Sequence, residues 1–132
     1  MKMTRVVVVD DSLDVQRSLT RLLETIDGVE VVGFAEDTAG AIGLIDHQRP
    51  DLVVLDVELR HGDRGFDVLR HVVRQHPGTE VIAMSNFHWH DMREGFLRAG
   101  ASAYFDKSLE FTKGRDWIAA LARRARPRLG TP

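Results

Sequence analysis

The 132-residue sequence predicts an α/β domain in which a parallel sheet is covered by helices on both faces. Two observations carry this reading. Short runs rich in Val, Ile and Leu alternate with stretches of helical periodicity along the whole chain, as they do where helices cross over between parallel strands. The apolar runs at 6–9, 52–55, 81–84 and 103–105 also end in polar residues: Asp10-Asp11, Asp56, Ser85, and Asp106-Lys107. In a parallel sheet these groups would gather at the carboxyl edge, where open α/β sheets bind ligands.

The elements follow in order. After the first run, Val15, Leu19, Leu22, Leu23 and Ile26 recur at helical spacing behind Ser12, a residue suited to cap the helix. Asp27-Gly28 stops that helix, and residues 29–35 read as a second strand. Asp37 begins a helix carrying Ile42 and Ile45, and Pro50 closes it before the buried run that ends at Asp56. Phe66, Leu69, Val72 and Val73 mark a third helix, stopped by His76-Pro77-Gly78. The strand before Ser85 leads to a helix with Met92 and Phe96 that stops at Gly100. A fifth strand ends near Lys107, and the last helix carries Trp117, Ile118, Leu121 and Ala125. These five strand–helix units form one folded domain over residues 1–126, followed by a loose tail at 127–132.

Composition is that of an ordinary globular domain, 43% hydrophobic and 29% charged, and it needs no staple to build a core. A net charge of −2 argues against whole-surface attraction to nucleic acid or anionic membrane. There is no cysteine, which excludes thiol chemistry, and no apolar stretch long enough to span a membrane. A cytoplasmic location is expected by default.

Adjacent acids after a strand also start turns and cap helices, so Asp10-Asp11 alone is ambiguous. Asp56 at a second strand end changes the reading. Three carboxylates within a few ångströms repel one another by ~1 kcal/mol per pair even in water. A cation resolves that repulsion, and an all-oxygen ligand set suits Mg²⁺. With Lys107 and Ser85 at the same edge, the group suits phosphoryl transfer to a carboxylate. Asp56 would attack, Asp10 and Asp11 would hold the metal, and Ser85 and Lys107 would bind phosphoryl oxygens. No glycine-rich nucleotide-binding pattern follows any strand, which removes nucleotide-binding enzymes. A Mg²⁺-dependent phosphatase using an aspartate nucleophile would need spaced acids after the first strand, where these are adjacent.

At this point the chain resembles the receiver domain of two-component response regulators. The resemblance rests on Val8-Val9-Asp10-Asp11-Ser12, Leu52-Val53-Val54-Leu55-Asp56, Gly65-Phe66-Asp67-Val68-Leu69, Ser85, Ala99-Gly100-Ala101 and Tyr104-Phe105-Asp106-Lys107. It implies a flavodoxin-like fold of strand order 2-1-3-4-5. It also implies phosphorylation of Asp56 by a sensor histidine kinase or a histidine phosphotransfer protein. Mg²⁺ would be ligated by Asp11, Asp56 and the backbone carbonyl of Glu58, with Asp10 acting mostly through water. The domain would catalyse its own phosphorylation and slow dephosphorylation without being an enzyme with a dedicated substrate.

The same resemblance implies a switch in which Ser85 moves toward the phosphoryl group and Tyr104 rotates inward behind it. That would reshape the surface of the fourth helix, fifth strand and fifth helix for a protein effector, and two copies could pair through it. Three departures stand out. The loop after Asp56 is one residue longer than the commonest pattern and has Arg60 where proline is usual. Ser108 replaces a frequent proline, so no cis peptide is expected there, and Asn86-Phe87 follows Ser85 where a small residue is usual. Glu58 and the bulky Phe87, each two residues beyond a site residue, are expected to hinder water and prolong the phosphorylated state.

Phe87 and Trp89 suggest a partner surface, whereas His88 and His90 are spaced to share no helix face and do not form a metal pair. His47, His61, His71 and His76 read as ordinary surface residues. The basic cluster Arg123, Arg124, Arg126 and Arg128 reads as a solvated helix end, and no DNA-reading element follows it, so direct nucleic-acid binding is not expected. The favoured expectation is a stand-alone regulator acting through protein contacts. Its alternative is the receiver part of a longer transcriptional regulator.

Overall fold

Five strands and five helices alternate through the chain in a computed structural model that describes residues 2–59, 62–86 and 90–125. They are β1 (Thr4–Val9), α1 (Leu13–Leu23), β2 (Val29–Ala35), α2 (Thr38–Gln48), β3 (Leu52–Asp56), α3 (Gly65–Gln75), β4 (Glu80–Ser85), α4 (His90–Arg98), β5 (Ala103–Asp106) and α5 (Phe111–Ala125). All pair in parallel in the order β2-β1-β3-β4-β5. That is the expected strand order. The anticipated Phe87, His88 and Trp89 surface, the length difference at Arg60 and His61, and the tail with Arg126 and Arg128 lie outside the described residues.

The central strands are apolar through Val6–Val9, Leu52–Leu55 and Val81–Met84 because each of these residues has a helix layer to face. Alternation within the strands sorts the core into two halves. Val7, Val9, Val53, Leu55, Val81, Ala83 and Tyr104 pack with Ala41 and Ile45 of α2, Val68, Leu69 and Val72 of α3, and Phe96 of α4. Val6, Val8, Leu52, Val54, Ile82, Met84 and Phe105 pack on the other face with Leu19 and Leu23 of α1 and Ile118 and Ala122 of α5. Each fully buried aliphatic side chain contributes ~1.5–3 kcal/mol of transfer free energy, so the sheet is the stiff platform of the molecule.

Helix ends follow local chemistry. The Ser12 hydroxyl accepts the Val15 amide, and Asp37 Oδ1 accepts the Gly40 amide, each capping the helix it precedes. Helix α2 ends at Gln48, and the capping residue Arg49, just before Pro50, takes a left-handed conformation (φ 47°). After α4, Gly100 turns at φ 116°, a backbone geometry that favours glycine. No cis peptide occurs among the described residues.

Strand register brings the polar strand ends level. Val9 of β1 pairs with Leu55, so Asp10 follows at the height of Asp56. Asp56 pairs with Met84, putting Ser85 one residue further along, and Ser85 pairs with Asp106, putting Lys107 at the rim.

Candidate functional site

Asp10 and Asp56 are buried, at 2% and 7% exposure, while Asp11 is half-buried beside them. One carboxylate oxygen from each of the three lies within 4.8 Å of the others. Lys107 reaches across the sheet edge, its Nζ 2.7 Å from Asp10 Oδ2 and 3.3 Å from Asp56 Oδ2. All of the acids and the lysine expected at one edge are therefore brought together. Ser85 is buried on the neighbouring strand, and its backbone carbonyl accepts the Lys107 amide at 2.7 Å.

The acids are held in place by the backbone around them. Asp10 Oδ1 accepts the Ser12 amide at 2.9 Å, and the Asp10 carbonyl accepts Gln16 Nε2 from within α1. Asp56 Oδ1 accepts the Glu58 amide at 3.2 Å. The Glu58 side chain is exposed. Below it, Glu58 and Arg64 form an antiparallel bridge, and the Leu59 amide donates to the Asp63 carbonyl. These contacts bring Glu58 and Leu59 against Asp63 and Arg64. Gly65 then packs against the strand end so closely that a Cβ there would sit 2.3 Å from the Asp56 carbonyl oxygen. The turn from β5 to α5, which carries Lys107, has its own brace, since Asp106 Oδ1 accepts the amides of Ser108 and Leu109.

Burial raises the Asp56 carboxyl from 3.8 to about 6, the attraction of Lys107 opposes the rise, and the charge of Asp10 adds to it. Burial alone would lower Lys107, but its contacts with Asp10 and Asp56 carry it above its ordinary value, so it remains a fixed cation. The site thus couples a desolvated carboxylate to a committed positive charge. An all-oxygen acidic set with no His or Cys fits Mg²⁺ better than a softer ion.

Tyr104 already lies inward, 4% exposed, in an edge-to-face chain of rings with Phe96 and, beyond it, Phe66. Its hydroxyl is close enough to Ser85 to interact, but no hydrogen bond of good geometry closes between them. Arg93 of α4 donates to the Tyr104 carbonyl at 3.0 Å, tying α4 to β5. A groove of about 720 Å³ opens against Phe66 and Phe96 of this ring chain, between the β3–α3 loop and α4, lined also by Leu59 and Met92.

A family model for the response regulator receiver domain matches residues 6–119. The chain belongs to that family. It is 35% identical over 105 residues to Response regulator GacA of Pseudomonas viridiflava, covering 80% of this chain and 49% of that protein. It is 44% identical over 86 residues to protein-glutamate methylesterase/protein-glutamine glutaminase 3 of Geobacter sulfurreducens, covering 65% of this chain and 23% of that protein. The chain thus spans about half or less of the length of these curated relatives. A two-component response regulator of the LuxR family from Aurantimonas sp. SI85-9A1 superposes with a TM-score of 0.85 at 27% identity, over 98% of this chain and 91% of that one. A receiver domain fits a phosphoacceptor, and phosphorylation is typical of the family. No helix among the described residues is long and apolar enough to cross a membrane.

Reading the residues singly missed several parts of this receiver. Gln16, which steadies Asp10 from inside α1, has no motif to reveal it. Asp63 lies in the long loop, yet its Oδ2 accepts the Thr38 amide at the start of α2. His47 is exposed, as expected, and so is His90. His71 and His76 are not isolated surface residues: both converge on Asp46. That corrects the reading of them as ordinary.

Proposed function

We propose that this receiver accepts a phosphoryl group on Asp56 from a phosphohistidine of a sensor kinase or a histidine phosphotransfer protein. The observation that carries it is the meeting of three acids with Lys107, whose Nζ stands 3.3 Å from Asp56 Oδ2. An Asp56 oxygen attacks phosphorus, the P–N bond breaks, and the donor imidazole leaves. Lys107 and the Ser85 hydroxyl pair with the transferred oxygens. Asp10, Asp11, Asp56 and the Glu58 carbonyl would hold Mg²⁺, which when bound offsets negative charge on donor and acceptor together. The exposed Leu13 and Leu109, three residues after Asp10 and two after Lys107, offer apolar contact to the donor protein at the rim.

The added phosphoryl group brings about two negative charges and strong acceptor oxygens next to Ser85 and Lys107. Drawing Ser85 toward it leaves Tyr104 inward and secures the ring chain through Phe96 to α4. The output is a change in the α4–β5–α5 surface, read by a protein effector or a second copy of the chain. This role is that of a phosphoacceptor, with self-catalysed phosphorylation and slow self-dephosphorylation, in the cytoplasm. A second reading, a receiver working within a longer regulator, draws support from relatives that continue well beyond the matched region. The mass of the native gene product separates the two.

Acetyl phosphate with Mg²⁺, followed by intact-mass analysis, tests the central step. Wild type is expected to gain the mass of one phosphoryl group, and Asp56→Asn to gain none. Equal labelling of both proteins, or labelling undiminished by EDTA, would overturn the proposal.

A further inference from the structure

A second cluster of ligating side chains lies away from the acidic pocket. His71 Nε2 and His76 Nε2 each sit 2.7 Å from the same atom, Asp46 Oδ1. The three ligand atoms lie within 4.8 Å of one another, and the two rings are 5.8 Å apart at 55°. Both histidine side chains are largely enclosed, at 21% and 14% exposure, whereas Asp46 is about half exposed and leaves an approach from solvent.

The cluster occupies the opposite edge of the sheet from Asp56. Asp46 precedes Gln48, whose carbonyl accepts Arg5 at the beginning of β1. His76 caps the end of α3, and its carbonyl accepts the Thr79 amide just before β4. The group therefore joins the final turn of α2 to α3.

Hydrogen bonding alone uses the arrangement modestly: one carboxylate oxygen receives two ring N–H groups. The same geometry aims two imidazole nitrogens and a carboxylate at one point. Zinc takes imidazole nitrogen at ~2.0–2.1 Å and carboxylate oxygen at ~2.0–2.2 Å, which in a tetrahedron spaces the ligand atoms ~3.3 Å apart. Each 2.7 Å contact would open by about half an ångström, within reach of small side-chain rotations. The ring protons would move to Nδ1, and solvent would fill the remaining position. Magnesium and calcium prefer oxygen ligands, so the two clusters differ in the ions they select.

We infer that Asp46, His71 and His76 form a binding site for a borderline divalent transition ion of the zinc type, which clamps α2 to α3. The inference is independent of phosphorylation at Asp56.

The full chain, stripped with EDTA and returned to excess Mg²⁺ to occupy the acidic pocket, is titrated with Zn²⁺ against a chromophoric chelator. Wild type is expected to hold a single zinc and to melt at a higher temperature with it. His71→Gln and His76→Gln keep a side-chain N–H that can donate to Asp46, and Asp46→Asn keeps an oxygen acceptor. Each is expected to retain the fold without zinc while weakening zinc binding by about 100-fold or more, since even losing a group that merely orients a ligand costs ~10–100-fold. Wild type that fails to retain zinc, or variants that retain it equally, would overturn the site. A variant that loses its fold is replaced in the comparison by the other two.

Discussion

Asp56→Asn should stabilise the metal-free protein at neutral pH even as it removes the phosphoryl acceptor. The Asp56 carboxyl rises from 3.8 to about 6 because burial penalises its charge more than Lys107 repays, with Asp10 adding repulsion. At ~1.4 kcal/mol for each pH unit between those values, ionised Asp56 costs the folded state about 3 kcal/mol. Solvent at the pocket mouth screens part of this, which leaves an expected gain of about 2–3 kcal/mol, or roughly 10 °C in melting temperature. An acid whose folded-state value is raised penalises folding in full above that value. The penalty fades as pH falls from 6 toward 3.8, because below both values the carboxyl is neutral in either state. Urea denaturation of wild type and variant in EDTA, at pH 8 and pH 4, measures it. The variant should lead at pH 8 and the two should converge at pH 4. A variant no more stable than wild type at pH 8, or a lead undiminished at pH 4, would refute the account of a desolvated, repelled carboxylate. Added Mg²⁺ should narrow the lead by stabilising wild type more.

Other outcomes follow from packing. Gly65→Ala places a Cβ against the Asp56 carbonyl oxygen, and neither backbone can yield cheaply. A loss of about 3 kcal/mol or more is expected, read as a lower urea midpoint, and an unchanged midpoint would show that the loop relaxes freely. Tyr104→Phe removes a hydroxyl that forms no well-shaped hydrogen bond, so stability should stay level or rise by up to about 1 kcal/mol in a thermal melt. A clear loss would mean that Ser85 holds that hydroxyl firmly.

The sheet and the acidic edge were legible because their signals are local and periodic. Buried parallel strands leave unbroken apolar runs, and the residue after each run marks the functional edge, so Asp10, Asp11, Asp56, Ser85 and Lys107 could be named before their register was seen. Residues that act through loops were less legible. Asp63 bonds to Thr38 across the sequence, and Gln16 works from a helix interior where any buried polar residue could stand. The histidine cluster was hidden for a geometric reason. His71 and His76 are five apart, a spacing that on a regular helix separates side chains around the axis. The departure of His76 from helical geometry at the end of α3 (φ −134°, ψ 66°) lets both meet Asp46.

The chain alone therefore determined the α/β class, the order of its elements and which polar groups end the strands, since burial on two faces and helix capping are written residue by residue. Tertiary structure decided the distances. Strand register set Lys107 between Asp10 and Asp56, burial raised the Asp56 carboxyl, and the packing of α2 against α3 joined Asp46 to two distant histidines. These depend on contacts between segments far apart in sequence, and no local pattern encodes how closely such segments meet.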